Sequence, residues 1–142
     1  MSIRPDAPAI LSDGQEVKVH GSEAFPFAVY CGIMPTFIPA YPLHYHEEME
    51  LICCEAGCGS IIIDRKTVPL QPGEVAVILP GQIHAIAAEG NGMFSYYNIL
   101  FRFSLLELPD SETYRRFLAP LADGSMEVPA RIQKDSPLGR EL

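Results

Sequence analysis

The residues of this chain best suited to chemistry fall in two short segments. In Leu43-His44-Tyr45-His46-Glu47-Glu48-Met49-Glu50, positions 44, 46 and 50 differ by even numbers. On a β-strand such residues project to one face. His84 lies well downstream, just past the turn residues Pro80-Gly81-Gln82, where a neighbouring strand can bring it opposite the first three. The set offers three imidazole nitrogens and one carboxylate oxygen. Those donors suit Zn, Fe, Mn, Ni or Cu, and spacing alone does not choose among them. The same residues equally fit a polar strand face lining a pocket that holds no metal. On both readings, titratable groups converging in a cleft predict a binding site.

Tyr30, Tyr96, Asn98 and Arg102 are placed to reach the mouth of that pocket. Tyr96, Asn98 and Arg102 share one face of a late strand. An arginine there can grip a carboxylate or sugar hydroxyls, the alternative being a solvated or interface-facing row. Phe101 and Phe103, on the other face, read as core or helix-packing residues. Glu48 has the parity to join Glu50, but a second carboxylate would repel the first. Glu47 and Glu48 therefore read as solvent-facing or strand-edge residues, and Tyr45 as a packing residue. His20, alone at the end of a strand, reads as a surface histidine. Cys31, Cys53, Cys54 and Cys58 form no CxxC pair, which argues against a structural zinc knuckle. They read as reduced thiols, small and buried, in a cytoplasmic protein.

The elements that must position these residues are mostly strands. Glu16-His20 alternates, with Val17 and Val19 against Lys18, and Phe25-Ile33 follows. Strand-length runs then recur at Glu48-Glu55, Ser60-Ile63, Thr67-Leu70, Glu74-Leu79, Ile83-Ala88 and Phe94-Phe103. Each is closed by turn residues such as Asp64-Arg65-Lys66 or Pro80-Gly81-Gln82. Runs of this length, about ten residues apart, predict an antiparallel sandwich or barrel. Past Leu108 the period changes. Asp110 or Ser111 can cap a helix whose Tyr114, Phe117, Leu118 and Leu121 form an amphipathic stripe, closed by Asp123-Gly124. That stripe most simply packs back on the barrel. Ser136-Pro137 reads as the start of another helix, but only Leu138 to Leu142 follow, too few for a stable one. This predicts that the natural protein continues past Leu142.

A chain of 142 residues, 48% hydrophobic and 20% charged, has the size and composition of one globular domain. Its net charge of −8 and its scattered Lys and Arg argue against this chain gripping a phosphate backbone itself. No run approaches the roughly 18 apolar residues of a membrane span, so no membrane partner is expected.

The site residues carry a family resemblance. His44-x-His46-x3-Glu50-x6-Gly57 resembles the first cupin motif, with Ile38 where the motif has glycine. Gly73 through Pro80 to His84 resembles the second, with Ala88 in place of its terminal asparagine. All four potential metal ligands are kept. The resemblance implies an all-β double-stranded β-helix, a jelly-roll barrel, followed by a short C-terminal helix. The long strand ending in Phe101-x-Phe103 makes the chain similar to the sensor domain of AraC-family transcription regulators over roughly residues 25–120. It implies an N-terminal domain that binds a small effector and dimerises. DNA would be bound by helix-turn-helix units in a C-terminal region absent from this chain.

On this reading residues 1–15 are a flexible arm, 16–108 the barrel, 109–124 the helix, and 125–142 a tail leading to that region. The effector is small and polar, a sugar or carboxylate, held by His44, His46, Glu50, His84, Tyr30, Tyr96, Asn98 and Arg102, and its binding orders the arm or the helix. A divalent transition metal (Zn, Ni, Fe or Mn) would sit on the three histidines and Glu50. Leu105, Leu106 and Leu108 are compatible with a homodimer contact and equally with a core turn. The alternative function is a stand-alone metal-dependent cupin enzyme, a dioxygenase or isomerase, using the same ligands. A third is a plain metabolite-binding cupin.

Overall fold

A computed structural model of the protein describes residues 8–142. Among the described residues nine strands form two antiparallel sheets. The first sheet has the order β1 (Phe27–Met34), β8 (Phe94–Phe101), β3 (Met49–Gly57), β6 (Val75–Ile78) and β9 (Arg131–Ile132). The second has the order β2 (Ala40–His44), β7 (His84–Ala88), β4 (Gly59–Ile63) and β5 (Lys66–Leu70). The predicted strand runs after residue 25 are all present. This is the all-β jelly-roll architecture that the sequence implied.

Alternation fixes what faces inward. On β3 the buried residues are Glu50, Ile52 and Cys54, and on its partner β8 they are Phe94, Tyr96 and Leu100. The paired register sets Ile52 against Asn98 and Cys54 against Tyr96. Met34, Ile52, Ile61, Leu70, Ile78, Ile86 and Phe94, each exposed by no more than 3%, fill the apolar part of the interior. Phe94 and Tyr96 stack with ring centroids 4.8 Å apart. Gly32 on β1 makes room for Tyr96, because a Cβ at that position would lie 2.4 Å from the phenol ring.

Several expectations need correction. Glu16-His20 forms no strand. Residues 9–17 instead make a tight turn, with Leu11 N–H donating to Gln15 O and Val17 N–H to Ala9 O. Glu16 N–H donates to Tyr45 O, and Tyr45 N–H to Gly14 O, so this turn is bonded to the barrel. The polar residues of the alternation face inward: Glu16 and His20 are buried, while Val17 and Val19 are 51% and 74% exposed. Of the arm predicted over residues 1–15, residues 1–7 lie outside the described residues. The helical stretch runs over 112–122, with π-type turns at Tyr114–Leu118 continuing into α1 (Ala119–Ala122). Ser111 Oγ caps it by accepting Tyr114 N–H at 3.0 Å. None of its residues is buried and Phe117 is 54% exposed, so the apolar stripe is covered only in part. Among the described residues no helix is long and apolar enough to cross a membrane.

Candidate metal and ligand site

His44 ends β2, His46 follows in the crossing to the other sheet, Glu50 lies on β3 and His84 opens β7. The even spacing of 44, 46 and 50 therefore does not come from one strand. Tertiary pairing brings the four together. β2 and β7 place His44 opposite His84, and Gly81 N–H, in the turn before His84, donates to His46 O at 2.8 Å. That turn is itself braced: Leu79 N–H donates to Gln82 Oε1 at 2.7 Å, and Gln82 Nε2 to Asp64 Oδ2 at 2.9 Å. The ligand atoms of His44, His46, Glu50 and His84 all lie within 4.8 Å of one another, and all four residues are buried.

Backbone carbonyls orient the three rings. His44 Nδ1 is 2.8 Å from Pro42 O, His46 Nδ1 3.1 Å from Glu48 O, and His84 Nδ1 2.9 Å from Gln82 O. A carbonyl only accepts, so each Nδ1 carries hydrogen and each Nε2 is left as the coordinating nitrogen. Glu50 Oε2 lies 3.1 Å from His46 Nε2 and 3.0 Å from His84 Nε2, while Asn98 Nδ2 donates to Glu50 Oε1 at 2.7 Å. An ionised carboxylate and two nitrogen lone pairs this close need a cation between them, a proton or a metal ion. Separations near 3 Å suit neighbouring donors around one ion with bonds of about 2.1 Å. The donor set fits a divalent transition metal, and these four residues are the ones that can hold it.

Burial and charge shape the titration of the group. Burial pushes His44 down to about 4, with the neighbouring His84 acting in the same direction, so its ring is neutral at pH 7. Burial also acts to lower His46, but its bond to Glu50 together with the charges of Glu50, Glu16 and Glu48 raises it. Burial would raise Glu50, yet the bonds to His46 and His84 hold it well below the ordinary carboxylate range.

Beside this group is a polar cavity of about 30 Å³, room for roughly one water or ion. Tyr30, Tyr96 and Asn98 line it, as the strand faces predicted. Asn98 Oδ1 is buried with no hydrogen-bond partner among the described residues. Arg102 does not line the cavity. The strand ends at Phe101, and Arg102 turns to Glu48 Oε1 at 2.9 Å and Glu47 Oε2 at 3.2 Å. Glu48 is not solvent-facing but 3% exposed, because Arg102 and the His46 ring compensate its charge.

His20 is not a surface residue either. It is 5% exposed, bonds Glu16 through Nε2 at 3.0 Å and Tyr30 through Nδ1 at 3.1 Å, and lies edge-on to His46. The Tyr41 hydroxyl donates to the other oxygen of Glu16. Burial would raise Glu16, but the bonds from His20 and Tyr41 hold it below the usual carboxylate range. Glu16, Lys18, His20 and Tyr41 thus line the cavity unforeseen. The even spacing of the polar residues 16, 18 and 20 was the available signal.

Comparison with known proteins agrees with this geometry. A cupin protein of Bacteroides fragilis superposes with a TM-score of 0.52 at 24% identity, over 75% of this chain and 86% of that one. The Cnp3 cupin domain of Schizosaccharomyces pombe gives 0.52 at 18% identity, over 68% of this chain and 65% of that one, so about a third of the yeast chain lies outside the match. Both likenesses show the cupin barrel fold. No curated protein sequence matches significantly. Residues 37–125, well over half of the chain, match the family described as AraC-like ligand binding domain. That match spans His44, His46, Glu50 and His84 together with Tyr96 and Asn98, and the chain belongs to the AraC-like ligand-binding domain family.

Proposed function

We propose that this chain is the effector-sensing and dimerisation domain of an AraC-like transcription regulator, acting in the cytoplasm. The observation that carries the reading is the cavity lined by polar side chains, where Asn98 Oδ1 is a buried acceptor with no partner among the described residues. The effector is small and polar, a sugar or a carboxylate, and meets Tyr30, Tyr96, Asn98 and the His44, His46, Glu50, His84 group once the lining moves to enlarge the small cavity. Arg102, engaged by Glu47 and Glu48, steadies the loop carrying His46. A divalent transition metal (Zn, Ni, Fe or Mn) on the four ligands supplies a fixed positive charge for an oxygen of the effector. Leu106 and Leu108, 58% and 68% exposed, leave an apolar patch after the barrel that supports a homodimer. DNA contact belongs to a region outside this chain, in keeping with the net charge of −8.

The test is a thermal-shift survey of neutral monosaccharides and small carboxylates on metal-loaded chain, with sedimentation run alongside. A dose-dependent rise in Tm for one class, lost in Asn98→Leu, supports sensing. No response in either class, from a chain that stays monomeric, sinks it. The second reading, a metal-dependent cupin enzyme, is favoured by the complete ligand set converging through Nε2. Consumption of a bound ligand that stops when the metal is removed would move the conclusion there.

A further inference from the structure

Two carboxylates line the cavity, and they differ in origin. Glu50 belongs to β3, whereas Glu16 enters from the segment ahead of β1. The Glu16 side chain is 2% exposed, and both of its oxygens are held: the Tyr41 hydroxyl donates to one, and His20 Nε2 meets the other at 3.0 Å. Tyr30 braces His20, and Lys18 Nζ lies 4.0 Å over the Tyr30 ring. The Tyr41 and His44 rings are in contact, with centroids 4.7 Å apart. A hydroxyl and an imidazole therefore hold a buried carboxylate, which is the chemistry of an anion site.

The segment that delivers Glu16 is held by few backbone bonds, with Ile10 of the same turn packing on the core. Its backbone joins the barrel through two bonds at Tyr45, each 3.0 Å. Its outward residues Val17 and Val19 are mostly exposed, so lifting the segment uncovers little apolar surface there.

We propose that this cavity is a carboxylate site occupied in cis by Glu16, and that the effector is a small carboxylic acid whose carboxylate takes Glu16's place on Tyr41 beside His44. The inference rests on the sensing reading and narrows its effector class. Displacement of Glu16 breaks the bonds at Tyr45, so effector binding is coupled to release of the segment around residues 14–17. A ligand shifts this equilibrium only by its differential affinity for the two states.

The experiment uses acetate, the fragment removed by Glu16→Ala, with acetamide as the neutral control. In Glu16→Ala, acetate binds by calorimetry at least about tenfold more tightly than in wild type, because the competitor in cis is gone. Acetamide does not bind. In wild type, saturating acetate speeds amide hydrogen exchange at residues 14–17. A folded Glu16→Ala protein with wild-type metal content that binds acetate no better than wild type, or no better than acetamide, overturns the proposal. Should Glu16→Ala fail to fold, the isosteric Glu16→Gln decides: raised acetate affinity and faster exchange support the proposal, and unchanged affinity overturns it. Binding of neutral ribose in the cavity, with no response to acetate in any variant, would overturn the carboxylate assignment and leave the sensing reading standing.

Discussion

Stripping the metal should change how stability depends on pH, and the sign follows from the ring geometry. Each Nδ1 is committed to a backbone carbonyl, so any further proton must sit on Nε2, where the metal would bind. In metal-free protein the Glu50 carboxylate holds such a proton on His46, whose pKa is raised above its ordinary 6.5. A raised folded-state pKa gives stability that is present below the unfolded value and is lost as pH rises through the folded value. His44 acts oppositely: pushed down to about 4, it stays neutral in the fold while the unfolded chain takes up a proton below 6.5. Stability therefore increases with pH between about 4 and 6.5 on its account. Metal-free protein is most stable near pH 6.5 and weakens above it. Metal-loaded protein binds no proton at these nitrogens and stays level above pH 6.5. One proton sets the limit of the divergence, about 1.4 kcal/mol per pH unit. For a domain of this size that is a few degrees of Tm per unit. The assay is differential scanning calorimetry from pH 6 to 8, with EDTA and with zinc, on wild type and Glu50→Gln. Removing the carboxylate removes the largest of the groups that raise His46, leaving Glu16 and Glu48, so the metal-free decline should shrink in the variant. Parallel curves with and without metal, or a decline undiminished in Glu50→Gln, would refute the reasoning.

Three further outcomes follow from the packing. Asn98→Leu takes the donor from Glu50 Oε1 and should weaken metal binding by about 10–100-fold with the fold intact, as read by competition with a chromogenic chelator; unchanged affinity would mean that Asn98 does not orient the carboxylate. Gly32→Ala places a Cβ 2.4 Å from the Tyr96 ring and should cost about 1–3 kcal/mol in urea unfolding, with Tyr96 displaced from the cavity. Leu106→Glu with Leu108→Glu should leave the melting temperature nearly unchanged but convert dimer to monomer in sedimentation equilibrium, whereas a dimer of undiminished affinity would place the interface elsewhere.

The sequence announced the barrel because β3 through β8 are strand-length, β-rich runs between clear turn residues, although β6 is buried on both faces. β2, not among the predicted runs, contains Pro42. It is an edge strand paired only with β7, where a missing N–H is tolerated. The four ligand-type residues were found through a parity argument whose premise fails, since His44 and Glu50 lie in different sheets and pairing brings them together. Glu48 was misplaced because repulsion from Glu50 was weighed without the compensating groups, Arg102 and His46, which are distant in sequence or lie across the loop. Arg102 has the parity of Asn98, but parity lapses where the strand stops at Phe101.

His20 carries the most general lesson. Alternation along Glu16-His20 says only that two faces differ, and the face that turns inward is decided by the surface waiting there. Against the Ile52 and Ile61 part of the barrel, valines would face inward, at about 25 cal/mol per Å² of buried apolar area. The segment instead meets the hydroxyls of Tyr30 and Tyr41 and the histidines beyond. Covering those groups with Val17 and Val19 would strand buried donors, each at about 1–3 kcal/mol. Glu16 and His20 satisfy them, and the valines go to solvent. An acidic residue turned inward while the alternating valines face solvent is thus a signal that the cavity it enters presents hydrogen-bond donors.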